Sequence, residues 1–340
     1  MCWYSAAAQY TFVKQWDYRY GTVINEYAEG GIISTPDSGF IIAGTTASGI
    51  NGDKTQPLGG DIDAWVLKIS ASGIKQWDKD FGGYGGESFV AMDNTLNGGL
   101  IFAGSTDSGI GGDITDSPRG NVDYWIVKTD AMGNKQWVKR FGGSSYDLLT
   151  CMKRTFDGGY ILGGWSNSNS GGDKTENNWS GGFHYDYWVG KVDSRGIKEW
   201  DKTFGGLQDD GLSGIAQMED GGYVLTGWSK SDSSGNRTIH NIDSTFYLNG
   251  SADSWTVRID KDGNKLWEKR MGRTELGGSV VYAGDSGCIL IFESTGVPDG
   301  LGGNPWIIKV DNSGSLNWTH RSVAAASFCT IFKTKDGGYL

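Results

Sequence analysis

Short apolar segments recur along the chain, and the second copy shows the pattern most clearly. Four segments follow one another there, at 88–95, 99–105, 124–129 and 135–141, and we label them A to D. Segments B and C are almost continuously apolar, which is typical of strands that are covered on both faces. No segment shows helical periodicity over a useful length. The pattern therefore predicts an all-β protein.

The segments belong to a long repeat that is marked by two tryptophans. In the second copy, Asp123 precedes Trp125, and Trp137 and Phe141-Gly-Gly follow. The step from the first to the second tryptophan is 12 residues in five copies, which begin at Trp65, Trp125, Trp188, Trp255 and Trp306. A turn of the type Asp157-Gly-Gly precedes segment B, and such a turn between apolar runs favours a tight hairpin. Four-stranded units repeated in this way are typical of a β-propeller.

Counting half-repeats predicts the number of sheets. The C–D half occurs six times, because a worn copy with Trp3 and Trp16 opens the chain. The A–B half also occurs six times, ending with Asp336-Gly-Gly-Tyr. We therefore predict a single six-bladed propeller domain over 1–340, with four antiparallel strands per blade. Blade six is shared between 1–21 and 323–340, so N-terminal C–D strands pair with C-terminal A–B strands and remove open sheet edges.

These motifs resemble the long-repeat propellers of secreted and surface proteins of Bacteroidetes-type bacteria. The resemblance rests on the Asp-x-Trp, Gly-Asn, Trp-x-Lys and Phe-Gly-Gly elements, on Asp-Gly-Gly-Tyr, and on Gly172-Asp-Lys-Thr-Glu, and it covers essentially the whole chain. It implies the propeller fold and an extracellular or cell-surface location. Such proteins often carry a C-terminal sorting domain for type IX secretion, and we see none in this sequence. The resemblance implies little about function.

Composition limits the partners of the protein. The 340 residues include 56 Gly and 15 Trp, and the formal net charge is −10 with a pI of about 4.8. This charge argues against nucleic acid as a partner, and no apolar run is long enough for a membrane span. We see no intact signal peptide. We expect a glycan or a surface protein as the partner, and a monomer or part of a larger chain.

The cysteines and the sequons give weaker signals. The cysteines show no metal-ligand spacing and are expected to be free buried thiols, with a Cys2–Cys329 disulfide as the alternative. Sequons at Asn178, Asn236, Asn249 and Asn317 would accept glycans in a eukaryotic secretory pathway.

Aromatic residues in the B–C loops form the first candidate site. These loops, at 47–62, 107–122, 167–185 and 230–252, are long and dissimilar, as expected of a binding surface on a constant scaffold. Strand B ends in Thr45 and Ser105 in two repeats but in Trp165 and Trp228 in the next two. The neighbouring loops add Trp179, Phe183, His184, Tyr185, Phe246 and Tyr247. Flat rings beside polar groups suit stacking on sugars, whereas the alternative is that the loops pack on their own aromatics.

Repeated carboxylates form the second candidate site. They follow the Phe-Gly motif at equivalent positions, and they are Glu26, Glu87, Asp147 and Asp210. A ring of these groups at the channel mouth could hold Ca²⁺ or attract a cationic partner. The alternative is that each carboxylate caps backbone N–H groups between blades. Asp53, Asp113 and Asp173 are interpreted as turn residues, and Asp63, Asp123, Asp186 and Asp253 as structural.

The function predicted from these features is a binding module for glycan or protein ligands at the cell surface, with no cofactor except for the candidate Ca²⁺ site. The alternative is a carbohydrate-active enzyme, a polysaccharide lyase or glycoside hydrolase, that uses His184, Tyr185 and channel carboxylates. A third reading is a structural module of a larger surface protein. No nucleophile elbow, zinc motif or phosphate loop occurs.

Overall fold

The computed structural model describes residues 14–240, 252–273, 278–284, 287–294 and 304–321. These residues form twenty β-strands in five four-stranded antiparallel sheets, which we number 1 to 5 in chain order. The described part of the chain contains no helix long and apolar enough to cross a membrane. The all-β prediction is confirmed.

The strands of each sheet are consecutive in the chain, from the inner strand A to the outer strand D. Sheet 1 contains β1 (Glu26–Ser34), β2 (Phe40–Thr46), β3 (Asp63–Ile69) and β4 (Lys75–Phe81). Sheet 2 contains β5 (Glu87–Asn94), β6 (Leu100–Thr106), β7 (Asp123–Thr129) and β8 (Lys135–Phe141). Sheet 3 contains β9 (Asp147–Arg154), β10 (Tyr160–Ser166), β11 (Asp186–Val192) and β12 (Lys198–Phe204).

Sheet 4 contains β13 (Asp210–Gln217), β14 (Tyr223–Ser229), β15 (Asp253–Ile259) and β16 (Lys265–Arg273). Sheet 5 contains β17 (Ser279–Tyr282), β18 (Cys288–Ser294), β19 (Asn304–Val310) and β20 (Leu316–Arg321). The strand boundaries predicted for the second repeat agree with sheet 2 to within one residue at each end.

Neighbouring sheets contact one another mainly through their inner strands, as β1 does with β5 and β9 with β13. The core lies between the sheets and is built by the first tryptophan of each repeat: Trp125, Trp188 and Trp255 are buried. The Trp125 ring stacks on Phe89 with centroids 5.0 Å apart. The result is a β-propeller-like repeat fold in which each sheet buries its faces only against its neighbours.

The second tryptophan of each repeat holds the next sheet. Trp77 and Lys79 of β4 lie on either side of Gly133, the glycine of the C–D hairpin in sheet 2. Gly133 has φ +74°, and a Cβ there would lie 2.9 Å from both side chains, so the turn requires glycine for two reasons. The same arrangement recurs at Gly196 and Gly263, which explains why Trp-x-Lys and the hairpin glycine occur together in the sequence.

Residues 16–22 contact the C–D hairpin and the B–C loop of sheet 1 as the outer strand β4 and the residues after it contact those of sheet 2. Trp16 and Tyr18 lie against Gly73, and the Trp16 indole N–H donates to the Ala71 carbonyl at 2.9 Å. Gly21 accepts from the Asp53 N–H at 3.0 Å, just as Gly82 accepts from Asp113 at 2.7 Å. This segment therefore occupies the place of an outer strand that precedes sheet 1.

The predicted count of six sheets is corrected to five for the described residues, and closure of the ring is not shown. The physical reason lies in where the sixth sheet was predicted. Blade six was assigned to 1–21 and 323–340, and residues 1–13 and 322–340 lie outside the described part of the chain. Cys2 and Cys329 lie outside it as well, whereas Cys151 and Cys288 are free and buried, as expected.

Candidate functional site

The repeated carboxylates lie at the start of the inner strands, where each caps the connection that precedes it. Glu87 accepts from the Gly83 N–H at 2.8 Å, Asp147 from Gly143 at 2.7 Å and Asp210 from Gly206 at 2.8 Å. Glu26 accepts from the Thr22 N–H at 3.2 Å. This geometry is the capping role that was the alternative to a calcium ring.

A second carboxylate, from the Asp-x-Trp element, lies beside each cap. A methyl group on Gly205 would overlap with both Asp186 and Asp210, and one on Gly82 would overlap with both Asp63 and Glu87. The first glycine of Phe-Gly-Gly is therefore required because two buried carboxylates converge on it. The structural interpretation of Asp63, Asp123, Asp186 and Asp253 fits their near-complete burial.

A buried cation accompanies these carboxylates in each of the first four sheets. The B–C loop supplies Lys54, which pairs with Asp80 at 2.6 Å, and at the equivalent positions Lys174 and Arg237. In sheet 2 that loop position is Ile114, and Arg140 of β8 reaches Asp123 at 3.4 Å instead. The charge is thus kept although its source in the sequence changes.

Burial shifts the titration of these groups. Loss of water, together with repulsion from Asp210, raises the pKa of Asp186 to about 8, and burial raises the pKa of Asp210 to about 6. Burial lowers the pKa of Lys174 to about 8. Among the described residues no group of three or more His, Cys, Asp or Glu side chains could hold a metal ion. Calcium binding by Glu26, Glu87, Asp147 and Asp210 stays a prediction.

At the loop end of the sheets, backbone caps also recur between sheets 1 and 2 and between sheets 2 and 3. The residue that follows strand B is Asp107 in sheet 2 and Asn167 in sheet 3. Asp107 accepts from the Gly86 N–H at 2.6 Å, and Asn167 from the Tyr146 N–H at 3.0 Å. Asp53 and Asp113 lie in turns of their loops, and in addition they accept from the Gly21 and Gly82 N–H groups at 3.0 and 3.3 Å.

Between sheets 3 and 4 this cap is replaced. Lys230 stands where Asp107 and Asn167 stand in sheets 2 and 3, and Asp209 stands where Gly86 and Tyr146 stand. The Asp209 carboxylate accepts from the Tyr185 N–H at 3.2 Å and lies 3.1 Å from His184 Nδ1. Lys230 Nζ lies 3.6 Å from Asp209 and 5.6 Å from the centre of the Trp228 ring. A structural cap has thus become a cluster of ionisable side chains.

Trp165 forms one aromatic side of this cluster. Its ring meets Tyr185 edge-on with centroids 4.6 Å apart. In sheet 2 the equivalent Ser105 hydroxyl accepts from the Leu149 N–H at 3.0 Å, so tryptophan at this position gives up a scaffold bond. Burial, with the nearby Asp209 and Tyr146, raises the pKa of Tyr185, which keeps its hydroxyl protonated as a hydrogen-bond donor.

Trp228 forms the other aromatic side. Its indole lies over Gly211, where any side chain would overlap with the ring. Gly211 is the residue of strand A that pairs with Trp228. The residues at the same place are Ser88 in sheet 2, which pairs with Ser105, and Leu148 in sheet 3, which pairs with Trp165. Glycine at 211 therefore gives the Trp228 ring room against the backbone.

The loop before His184 is ordered by Asn178. The Asn178 amide donates to the Ser166 and His184 carbonyls at 3.2 and 2.8 Å and accepts from the Ser180 and Gly182 N–H groups. Asn178 is 4% exposed, so this sequon is not accessible to a glycosylating enzyme in the folded protein. The loop leaves Trp179 44% exposed and Phe183 87% exposed, with Trp179 resting on Gly235.

The structure thus brings together many of the aromatic residues that the sequence singled out. We define the loop-end site as Trp165, His184, Tyr185, Asp209, Trp228 and Lys230. Trp179 and Phe183 lie in the loop that supplies His184. Phe246 and Tyr247 lie outside the described residues. Asp209 and Lys230 were not predicted from the sequence. Aligning the repeats would have found Asp209, because it precedes the repeated Asp210 at a position where other copies have Gly86 and Tyr146.

Comparisons with known proteins leave the function open. No family model matches the chain. Over 207 residues the chain is 25% identical to the regulatory protein FlaEY of Caulobacter vibrioides, a match that covers 59% of this chain and 21% of that protein. The chain therefore spans about a fifth of the length of the curated relative that it matches.

Solved structures give only distant likenesses. A protein of unknown function from Bacteroides caccae shares 10% identity at TM-score 0.45, over 90% of this chain and 85% of that one. Hydrazine synthase of Kuenenia stuttgartiensis shares 13% identity at TM-score 0.47, over 90% and 69%. At these scores the likenesses carry no conclusion, and the resemblance to Bacteroidetes-type surface propellers is not confirmed.

Proposed function

We propose that the protein binds glycans at the loop-end site between sheets 3 and 4. The observation that carries this proposal is that several positions at this junction differ from the other copies of the repeat. Lys230 and Asp209 replace the side-chain cap and the residue it caps, and strand B ends in Trp165 in sheet 3 and in Trp228 in sheet 4. The repeat itself does not require these changes, because Asn167 serves as the cap in sheet 3 and Ser105 ends strand B in sheet 2.

The chemistry of the site suits a sugar ring. Indole faces stack on the apolar faces of pyranoses, and neighbouring polar groups bond to hydroxyls. Asp209 supplies acceptor atoms, whereas Tyr185 and Lys230 supply donors. The exposed Phe183 and Trp179 extend the aromatic surface along the adjoining loop.

We further propose that the chain termini complete a ring of six sheets. We also propose that the protein is extracellular or lies at the cell surface. Residues 16–22 hold sheet 1 as each outer strand holds the next sheet, which supports a sixth unit at this place. The motif Asp336-Gly-Gly-Tyr has the sequence of the A–B half that such a sixth unit needs. The sequence resemblance supports the location.

The His184–Asp209 contact favours one second candidate, a carbohydrate-active enzyme. A carboxylate at Nδ1 orients an imidazole so that Nε2 can act as a general base. Burial raises the pKa of Tyr185, which leaves His184 as the base of the pair. We rank binding first because stacking needs only the aromatic residues in place.

Binding is tested with immobilised plant and bacterial glycans, using the wild type, Lys230→Ala and Asp209→Ala. We expect retention of at least one glycan by the wild type and at least about a tenfold weaker affinity in each variant, since a lost charged hydrogen bond is worth about 1.5–3 kcal/mol. Ile110→Ala is the matched control, because Ile110 is an exposed loop residue of sheet 2 and lies away from the site.

Retention of the glycan by both variants would reject the loop-end site. The same glycans are assayed for new reducing ends and for unsaturated products. Product formation that disappears in His184→Ala would establish the enzyme instead of the binding module.

A further inference from the structure

A second region of the molecule departs from the repeat, at the outer rim between sheets 1 and 2. A groove of about 480 Å³ opens there, between β4 and the C–D hairpin of sheet 2. It is lined by Trp77, Met132 and the amide side chains of Gln56, Gln76 and Asn134, together with Lys79. We call it the rim groove. Its volume lies in the range of small-molecule sites.

At the equivalent place in sheet 3, a side chain ties the B–C loop to the outer strand of the same sheet. There Glu176, which follows the loop threonine, bonds to Lys202 at 3.1 Å and accepts from the Thr203 N–H at 2.7 Å. Both partners belong to β12, so the loop is tied to the outer strand. In sheet 2, Asp116 of the B–C loop accepts from the Arg140 N–H of β8 at 3.4 Å in the same way.

Gln56 occupies this position in sheet 1 but does not tie its loop to the strand. Its amide nitrogen instead donates to Thr55 of its own loop at 3.3 Å. Lys79, the equivalent of Lys202, donates to Asn134 of the neighbouring hairpin at 3.3 Å. The loop of sheet 1 is tied to β4 through Thr55 and Asp78, at 2.8 and 2.6 Å, and Gln56 lines the groove without adding a second tie.

The lining of the groove selects an uncharged polar ligand. Trp77 and the exposed Met132 provide an apolar surface, and the Gln76 amide offers both donors and acceptors. Gln56 and Asn134 already bond to Thr55, Asp130 and Lys79 and keep the rest of their hydrogen-bonding capacity. Lys75 is paired with Asp78 at 2.8 Å, and Lys79 interacts with the charge of Asp130 as well as with the Asn134 amide, so neither cation calls for an anion. Among the described residues the Gln76 side chain makes no hydrogen bond of its own, although it is exposed at the groove.

We propose that the rim groove is a second carbohydrate site, which takes a short segment of a neutral glycan with one sugar ring against Trp77 and its hydroxyls on Gln56, Gln76 and Asn134. Its place on the outer rim separates it from the loop-end site. Two sites on one chain strengthen the attachment to a polymer through effective concentration, even if each is weak.

The test uses the full chain and isothermal titration with cellohexaose, xylohexaose and mannohexaose as neutral probes and an oligomannuronate as the anionic probe. We expect saturable binding of at least one neutral probe, weakened at least tenfold in the double variant Gln76→Ala/Met132→Ala. The matched control, Gln136→Ala/Arg195→Ala, makes the equivalent changes between sheets 2 and 3 and should bind as the wild type does.

The two sites are separated by repeating the titration in Asp209→Tyr/Lys230→Asn, which removes the ionisable pair of the loop-end site. Neutral-probe binding that persists there and is lost on adding Gln76→Ala/Met132→Ala supports the rim groove, whatever the outcome for the loop-end site. Three results overturn it: no saturable neutral-probe binding in that background, equal weakening in the matched control, or binding of the oligomannuronate alone.

Discussion

The junction between sheets 2 and 3 and the junction between sheets 3 and 4 share one scaffold but differ at the loop end. In both, a buried aspartate at the start of the inner strand accepts a glycine N–H, at 2.7 Å for Asp147 and 2.8 Å for Asp210. Yet Asn167 caps the Tyr146 N–H in the first, whereas Lys230 and Asp209 face each other in the second.

This difference separates two kinds of constraint within one repeat. Where a bond recurs, as at Gly143 and Gly206, the residue is fixed by the fold. Where the residues on both sides of a cap differ together, as at Asp209 and Lys230, the side-chain cap is lost and the backbone bond from the Lys230 N–H to the Asp209 carbonyl, at 2.8 Å, is kept. Such positions are therefore the ones at which selection for a ligand is the better explanation.

The largest effect on stability is expected from removing the aspartate cap that both junctions share. Asp147→Ala leaves the buried Gly143 N–H and the Ser168 hydroxyl, 2.9 Å from the carboxylate, without their acceptor. We expect a loss of about 3 kcal/mol in the free energy of unfolding, because unsatisfied buried donors cost about 1–3 kcal/mol each. Asn167→Ala, at the loop end of the same junction, should cost about 1 kcal/mol or less. Urea unfolding compares the two, and equal losses would refute the distinction.

The buried carboxylates of the junction between sheets 3 and 4 predict a pH dependence of stability. The pKa of Asp186 is about 8 when folded and near its ordinary value when unfolded, so its contribution is present at low pH and is lost as the pH rises from about 4 to about 8. The wild type should lose at least about 1.4 kcal/mol across this window, the equivalent of one pKa unit.

Asp186→Asn should flatten this profile, and urea midpoints measured from pH 4 to 8 check it. Below this window the opposite sign applies, because hydrogen bonds from Thr35 and Lys68 lower the pKa of Asp37 to about 2, and its contribution is lost as the pH falls toward that value. A wild-type profile that rises between pH 4 and 8 would contradict the assignment.

A smaller effect tests the contact between an outer strand and the next hairpin. Gly196 has φ +75°, and a Cβ there would meet Trp137 at 3.0 Å. Gly98 has φ +81° with nothing within 4 Å. Both alanine variants have the backbone penalty of about 1 kcal/mol, but Gly196→Ala should lose about 1 kcal/mol more from overpacking. Equal losses in thermal or urea unfolding would remove the proposed role of Trp137.

The smallest effect on stability is expected at Phe183, in the loop that supplies His184 to the loop-end site. Phe183 is 87% exposed, so Phe183→Ala should change the free energy of unfolding by less than about 0.5 kcal/mol. The variant should nevertheless bind glycan more weakly. A large loss of stability would show that this ring belongs to the scaffold.

The strands could be located from the sequence because Trp125, Trp137 and the hairpin glycines have counterparts at constant spacing in the other repeats. The sequence could not show the role of Arg140, which replaces the loop cation lost at Ile114, because the two are brought together only in the fold. Nor could it show that the loop before His184 folds around the buried Asn178 side chain, which the sequence marks only as a sequon. Aromatic residues drew attention to the loop-end site, but Asp209 and Lys230 look ordinary until the repeats are superimposed.

The most direct test of glycan binding at the loop-end site is to give that junction the residues of its neighbour, Tyr146 and Asn167. Glycan affinity and urea unfolding are measured on Asp209→Tyr/Lys230→Asn. We predict an unfolding free energy within about 1 kcal/mol of the wild type and, for the glycan that the Lys230→Ala variant loses, at least a tenfold loss of affinity. Unchanged affinity in the stably folded double variant would contradict the account.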